Sequence, residues 1–333
     1  MPPTPLSTRR HRSCRATASH IARVATRAGF SLLAALIAVV AALSSFEIAT
    51  APAAGAANWA PVHAGDFPDP SILHWNGVYY GFATQNFASA SQTINIQVST
   101  SSDGVNWTSN DTNALPTVGS WAEPGNTWAP SVAFNGAEFV MYYTATDISS
   151  GDQCIGEATA SAPLGPYTDT NPNPITCMSG AGGSIDPDIF TNPHTGVAYL
   201  IWKNDGNRIG TATGIWSAPL APNLFSLTGG ATEILNGADE SWQSGVIEGP
   251  DMVYVSGGFY LFYAGGPWGT TTYALGWASC AGPSGPCTDQ SSSPLLTSAP
   301  GMSGPGGPGV FTLPSGQLVM AFAAWQGNTI GYL

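Results

Sequence analysis

The chain has 333 residues, 8% of them charged and 11% aromatic, with forty glycines, twenty-seven prolines and a formal net charge of −12. That length supports one large domain with a full core, and so many Gly and Pro residues exclude long helices while suiting hairpins. Six of the eight basic residues lie before residue 30, leaving Lys203 and Arg208 against nineteen acids beyond residue 57; such a surface repels phosphate backbones and excludes nucleic-acid binding.

At the amino terminus, residues 1–29 carry six arginines and no acid, Phe30 to Leu43 is mostly apolar, and Ala51 to Ala57 is rich in small residues. This is the tripartite plan of a secretory signal, with cleavage expected between Ala53 and Ala57. The apolar run is shorter than the ~20 residues a membrane span needs. Residues 1–57 are therefore read as a signal peptide. Residues 58–333 are read as one extracellular domain, monomeric and free of the membrane.

From there the chain repeats one plan five times. A tight bend is followed by a short strand, a Gly-containing turn and a second, aromatic-rich strand. The first copy reads Ser71–Trp75, Asn76-Gly77, Val78–Ala83, with a third strand expected at Ile94–Ser99 and the outer one starting at Asn106. Asn-Gly between two such runs is a strong hairpin signal. The second copy runs from Trp128 through Asn135-Gly136 to Tyr143, and the third from Asp186 through Gly196 to Trp202. The fourth runs from Glu248 through Gly257-Gly258 to Ala264, and the fifth from Gly309 through Ser315-Gly316 to Phe322. The markers Asp69, Ala129, Asp186, Glu248 and Gly307 recur every 57 to 62 residues. Known propeller repeats run to ~40–50 residues, so these suit four-stranded blades with longer loops. The expectation is an all-β, five-bladed β-propeller in which Asn58–His63 supplies the missing outer strand of the last blade and so removes an exposed edge.

Propeller geometry brings the starts of the inner strands together at the axis. Three of them carry acids: Asp69, Asp186 and Glu248. Like charges in one pocket raise one another's proton affinity, which keeps one carboxyl protonated as acid while another stays ionised as base. Asp188, Asp251, Asp239 and Glu240 are read as solvated or turn-forming. Trp128, Trp268 and Phe87 follow or lie in loops and are candidates to stack on a sugar. Trp75, Trp107, Trp202 and Trp277 sit in strand-like runs and are read as core. Beyond the leader four cysteines remain, and proximity pairs Cys154 with Cys177 and Cys280 with Cys287. No Cys-x-x-Cys or His/Cys cluster marks a zinc site, and the three remaining histidines lack a nucleophile elbow or His-Glu-x-x-His.

The ordered set Pro68-Asp-Pro-Ser71, Trp128-Ala-Pro-Ser131, Ile185-Asp-Pro-Asp-Ile-Phe190 and Ile247-Glu-Gly-Pro250 closely resembles glycoside hydrolase family 43, over about residues 59 to 333. The resemblance implies single-displacement hydrolysis with inversion. Asp69 matches the family's general base, Asp186 the acid that orients the proton donor and modulates its pKa, and Glu248 the general acid. Substrates implied are arabinofuranosyl or xylosyl linkages of plant cell-wall polysaccharides or their oligosaccharides. One departure is Gly304-Pro-Gly-Gly307, where many members end in a His that often helps hold a central cation. With Gly307 there, no metal or other cofactor is expected. Alternatives are a carbohydrate-binding propeller without turnover, or a fructan hydrolase on the related fold, whose usual Asn-Asp-Pro-Asn and Glu-Cys signatures are absent.

Overall fold

The computed structural model describes residues 59–330 apart from 64, 90, 91, 111, 238, 327 and 328; the expected signal peptide, with Asn58 and residues 331–333, lies outside the described residues. Regular structure within them is strand, with three 3₁₀ turns of three or four residues as the helical content.

Three sheets have four strands in simple up-and-down order. The first holds Ser71–Trp75, Val78–Ala83, Gln97–Ser101 and Thr108–Asn110. Its opening hairpin has the expected bounds, and Asn76 and Gly77 both adopt positive φ (50° and 77°), the type I′ geometry that matches strand twist. The expected third strand is displaced, because Asn86–Ser89 and Gln92–Ile94 pair as a separate two-stranded ribbon. Counting sheets in chain order, Ser184–Thr191, Ala198–Asn204, Gly214–Pro219 and Thr232–Asn236 form the third sheet, and Ile247–Val255, Gly258–Gly265, Ala274–Cys280 and Cys287–Asp289 the fourth, each four-stranded. In that sheet Val255 pairs with Gly258, so the turn is Ser256-Gly257 rather than the Gly-Gly expected.

Two sheets have three strands among the described residues: Trp128–Phe134, Phe139–Thr146, Gln153–Ala160, and Ser303–Thr312, Leu318–Gln326, Thr329–Ile330. The expectation of five four-stranded blades is thus met only in part. After Ala160, Pro163 and Pro166 supply no N–H to a ladder, and the outer strand shrinks to a single Thr159–Thr168 bridge. Nor does the amino-terminal segment add a strand to the last sheet. Trp59 donates one backbone bond to Pro300 (3.0 Å) and packs its ring on Phe322, while Pro61 lacks a donor.

The first strands of the sheets touch in cyclic order, from 71–75 through 128–134, 184–191, 247–255 and 303–312 back to 71–75. This is a closed, all-β propeller. Its core lies between sheets, where residues such as Met141, Tyr143, Trp202 and Leu261 are buried. Trp202 bears out the core reading fully, and Trp75 and Trp107 pack at the edges of these clusters. Both expected disulfides, Cys154–Cys177 and Cys280–Cys287, are present.

Candidate active site

Each inner strand carries an X-Pro pair at the ring's centre: Asp69-Pro70, Ala129-Pro130, Asp186-Pro187, Gly249-Pro250 and Gly307-Pro308. The X residues all hold φ between 43° and 59°, the left-handed region that favours glycine and tolerates Asp. Pro cannot donate to a ladder. The strand pairing accordingly skips these two residues in four of the sheets. Such bulges re-aim side chains and are frequent beside active sites. Asp69 and Asp186 therefore leave the sheets toward the axis at equivalent positions, whereas Glu248 stands one residue earlier than its equivalent, Gly249. The bend expected before each strand lies inside the strand in these four sheets.

All three acids line one cavity of ≈ 560 Å³, together with Trp128, Trp268, Lys203, Arg208, Tyr273 and Trp325. In the first sheet's contribution, the Thr84 hydroxyl donates to Asp69 Oδ2 (2.6 Å) and accepts from the Ala129 N–H (2.8 Å). Burial raises the Asp69 pKa, Thr84 pulls it down and Glu248 pushes it up again. Next to Asp69, Gly307 holds a positive φ of 59°, and a Cβ there would come 3.0 Å from Asp69 Oδ1, so the carboxyl would have to shift to admit one.

Asp186 accepts the Gly249 N–H at Oδ2 (2.9 Å), while its own N–H donates to Thr144 Oγ1 (3.2 Å). Burial first, and then the Glu248 charge, push its carboxyl up to about 8. Both oxygens of Glu248 are occupied. The Lys203 ammonium donates to Oε2 (2.7 Å) and the Tyr273 hydroxyl to Oε1 (2.7 Å). Lys203 also lies 3.5 Å from Asp205. Arg208 pairs with Asp152, donates to the Gly182 carbonyl (3.0 Å) and lies 3.8 Å from Asp205.

Sequence reasoning thus placed the three acids in one cavity, and Trp128 and Trp268 on its wall. Phe87 lies in the ribbon with its backbone opposite Thr93, and its side chain is outside the described residues. Thr84, Lys203, Tyr273 and Trp325 were missed. Lys203 had a legible signal, since it is the one lysine in the whole sequence. Trp325 lies parallel to Trp268 (centroids 6.1 Å apart, planes at 12°) and donates its indole N–H to the Trp268 carbonyl (3.3 Å).

The reading of Asp188 and Asp251 as solvated needs correction. They line a narrow axial cavity beneath the X-Pro ring, and their Oδ2 atoms accept the N–H groups of Met252 and Val310 in the following sheets (both 3.1 Å). Ser131 does the same for Ile189 (3.2 Å). These side chains staple neighbouring sheets because the bulges leave strand N–H groups unpaired. Each of the two axial carboxylates commits one oxygen, Oδ2, to a backbone N–H. Among the described residues no cluster of three His, Cys, Asp or Glu side chains could hold a metal.

Comparison with known proteins places these features. Beta-D-galactofuranosidase xynD of Aspergillus niger is 26% identical over 238 residues, covering 68% of this chain and 64% of that protein. Extracellular endo-alpha-(1->5)-L-arabinanase 2 of Bacillus subtilis is 28% identical, covering 68% and 51%. The chain therefore spans about half to two-thirds of these relatives. The crystal structure of an endo-1,4-beta-xylanase from Bacteroides thetaiotaomicron superposes with a TM-score of 0.66 at 27% identity, covering 79% and 87%. The description of glycosyl hydrolases family 43 matches residues 59–332, and the chain belongs to that family.

Proposed function

We propose that this chain is a secreted, inverting O-glycosyl hydrolase with a five-bladed ring, cleaving arabinofuranosyl or xylosyl linkages in plant cell-wall polysaccharides or their oligosaccharides. The observation that carries the reading is the gathering of Asp69, Asp186 and Glu248 in one cavity beside Trp128 and Trp268. Five X-Pro pairs with one backbone conformation support the blade count. Two disulfides support an extracellular home, and no helix among the described residues is long and apolar enough to cross a membrane.

The chemistry follows from how each carboxyl is held. Thr84 commits its proton to Asp69 Oδ2, which leaves Oδ1 to accept from the attacking water. There Asp69 takes a proton from water as the water oxygen bonds to the anomeric carbon. The glycosidic carbon–oxygen bond breaks on the opposite face, its electron pair stays with the leaving oxygen, and Glu248 supplies that oxygen with a proton. One water is consumed, one hemiacetal and one alcohol form, and a single displacement inverts the anomeric centre. Asp186 fixes the Gly249 backbone beside Glu248 through its Oδ2, and repulsion between the two carboxyls keeps them from both being ionised at once. Trp128 and Trp268, with the side chain of Phe87 as a further candidate, offer apolar faces for the sugar. No step needs a resident metal or other cofactor.

The test is reducing-sugar release from debranched arabinan, arabinoxylan and a fructan by wild type and Glu248→Gln, with proton NMR of the first anomer formed. Release from a pentosan that falls about 10²–10⁴-fold in the variant, with the inverted anomer appearing first, is the expected result. Retention of configuration, or release from the fructan alone, overturns the reading. Binding of a polysaccharide with no release would make the chain a carbohydrate-binding propeller.

A further inference from the structure

Lys203 is out of place by ordinary rules. It is the one lysine of the sequence, its side chain is 1% exposed, and it sits in the strand Ala198–Asn204 beside the cavity. Burying an ammonium costs several kcal/mol, and a buried ion pair is commonly no more stabilising than a well-packed apolar pair of similar volume. Stability alone is therefore a weak reason for this residue. Its position suggests another. The Lys203 Nζ lies 2.7 Å from Glu248 Oε2, on the opposite side of the carboxyl from the Tyr273 hydroxyl at 2.7 Å from Oε1. Tyr273 itself is seated by Gly306, where any Cβ would overlap its ring at 1.8 Å from Cε1. The two donors come from different sheets and meet on one carboxyl.

We propose that Lys203 is a positioning residue for the proton donor Glu248: with Tyr273 it fixes the carboxyl in the cavity and supplies the positive charge that stabilises the carboxylate left once the proton has gone to the leaving oxygen. This rests on the reading of Glu248 as general acid. The charged and titratable groups facing Glu248 are Asp69 ahead of the first sheet, Asp186, Lys203 and Asp205 in and after the third sheet's strands, and Tyr273 in the fourth. Three of the five are carboxyls. Lys203 is the cation in contact with the Glu248 carboxyl, while Arg208, also on the cavity wall, pairs with Asp152. Burial works against the Lys203 charge, but Glu248 and then Asp186 outweigh it and raise the lysine's pKa, so the cation is present across the working pH range. Without it, the carboxylate would lose its neighbouring positive charge, which would hold the proton on Glu248 and make the transfer harder. The proton's destination stays the same, since Lys203 keeps all of its own.

The experiment compares full-length wild type, Lys203→Met, Lys203→Gln and Lys203→Arg in pH profiles of kcat/KM on the pentosan that wild type cleaves. The Glu248 side-chain carboxyl is titrated in parallel by carbon-13 NMR, its signal assigned by its loss in Glu248→Gln. Removing a neighbouring cation disfavours the carboxylate. The midpoint of Glu248 and the basic limb of the profile are therefore expected to move up together by about one pH unit or more in Lys203→Met. The kcat is expected to fall about tenfold or more with a smaller change in KM. Lys203→Gln, which stays polar, shifts both in the same direction and serves if the Met variant does not fold. Lys203→Arg, which keeps the charge, returns the midpoint toward wild type. An unmoved midpoint and limb in a neutral variant, with only the melting temperature lowered, would reduce Lys203 to a structural ion pair and overturn the proposal. A wild type inert on every glycan overturns the proposed function instead, which the titration distinguishes because it needs no turnover.

Discussion

Asp66, Glu157 and Asp186 are carboxyls displaced in one direction, to about 6, 7 and 8, with burial the largest cause in each. In the unfolded chain they release their protons near 3.8 for Asp and 4.5 for Glu. Between those values and the folded ones, the native state holds protons that the unfolded state has lost. Stability from these groups is full below about pH 4 and falls as pH rises through 6 to 8. Glu157 is 5% exposed, accepts from Asn171 Nδ2 (3.0 Å) and lies outside the candidate active site. Glu157→Gln is therefore expected to flatten the decline in melting temperature between pH 4.5 and 7, by about 2–4 °C at the upper end. Thermal melts across that range check it, and a decline as steep as wild type's would refute the assignment. His63 is moved by the same cause in the opposite sense, since burial lowers its pKa.

At the scale of elements, the X-Pro bulge serves two ends. It turns Asp69 and Asp186 out of the sheets, and it exposes strand N–H groups that Ser131, Asp188 and Asp251 of the preceding sheets then accept. Gly307 makes both possible in the last sheet, combining φ of 59° with the close approach of Asp69. Gly307→Ala adds left-handed strain of about 1–2 kcal/mol and presses on the Asp69 carboxylate. It is expected to lower kcat/KM at least about tenfold through misplacement of Asp69. Steady-state kinetics with a chemical denaturation curve separates that outcome from simple unfolding. A second recurrent device holds the outer parts of two sheets. Tyr143 donates to Asp169 (2.7 Å) and accepts from the Gly119 N–H (2.9 Å); 120 residues on, Tyr263 donates to Asp289 (2.8 Å) and accepts from Gln243 (2.9 Å). In each case a glycine, Gly156 or Gly276, leaves room for the ring.

For the whole molecule the main risk is an open ring, because a propeller's ends must meet. Here the strands 303–312 and 71–75 touch, Tyr79 donates its hydroxyl to the Thr312 carbonyl (2.8 Å) and packs its ring at a tilt against Phe311, and Trp59 meets Phe322 edge-on. Disulfides act elsewhere, within the second and fourth sheets and their flanking loops. Cys154–Cys177 closes a separation of 23 residues and Cys280–Cys287 one of 7. Loop-closure entropy gives about 3 kcal/mol for the longer and about 2 kcal/mol for the shorter. Paired Cys→Ser variants are expected to lose stability in that order in urea titrations. The reverse order would place the stabilisation in local packing instead.

Composition, periodicity and motif order determined an all-β repeat fold, its turn at Asn76-Gly77, two disulfide pairs and the three acids of the cavity. Each of these depends on local chemistry or on a period that recurs in the chain: positive φ at Asn-Gly, short cysteine separations, Asp before Pro. The tertiary structure decided the rest. Asp188 and Asp251 looked like turn acids because nothing local reveals that a neighbouring sheet presents an unpaired N–H to each. The amino-terminal segment contacts the last sheet without pairing along it, an outcome set by Pro61 and by packing on Phe322. Lys203, Thr84 and Tyr273 come from different sheets, and only ring closure brings them to Asp69 and Glu248. Which oxygen of Asp69 is left for chemistry, and which donors hold Glu248, depend on those long-range partners, so spacing along the chain does not encode it.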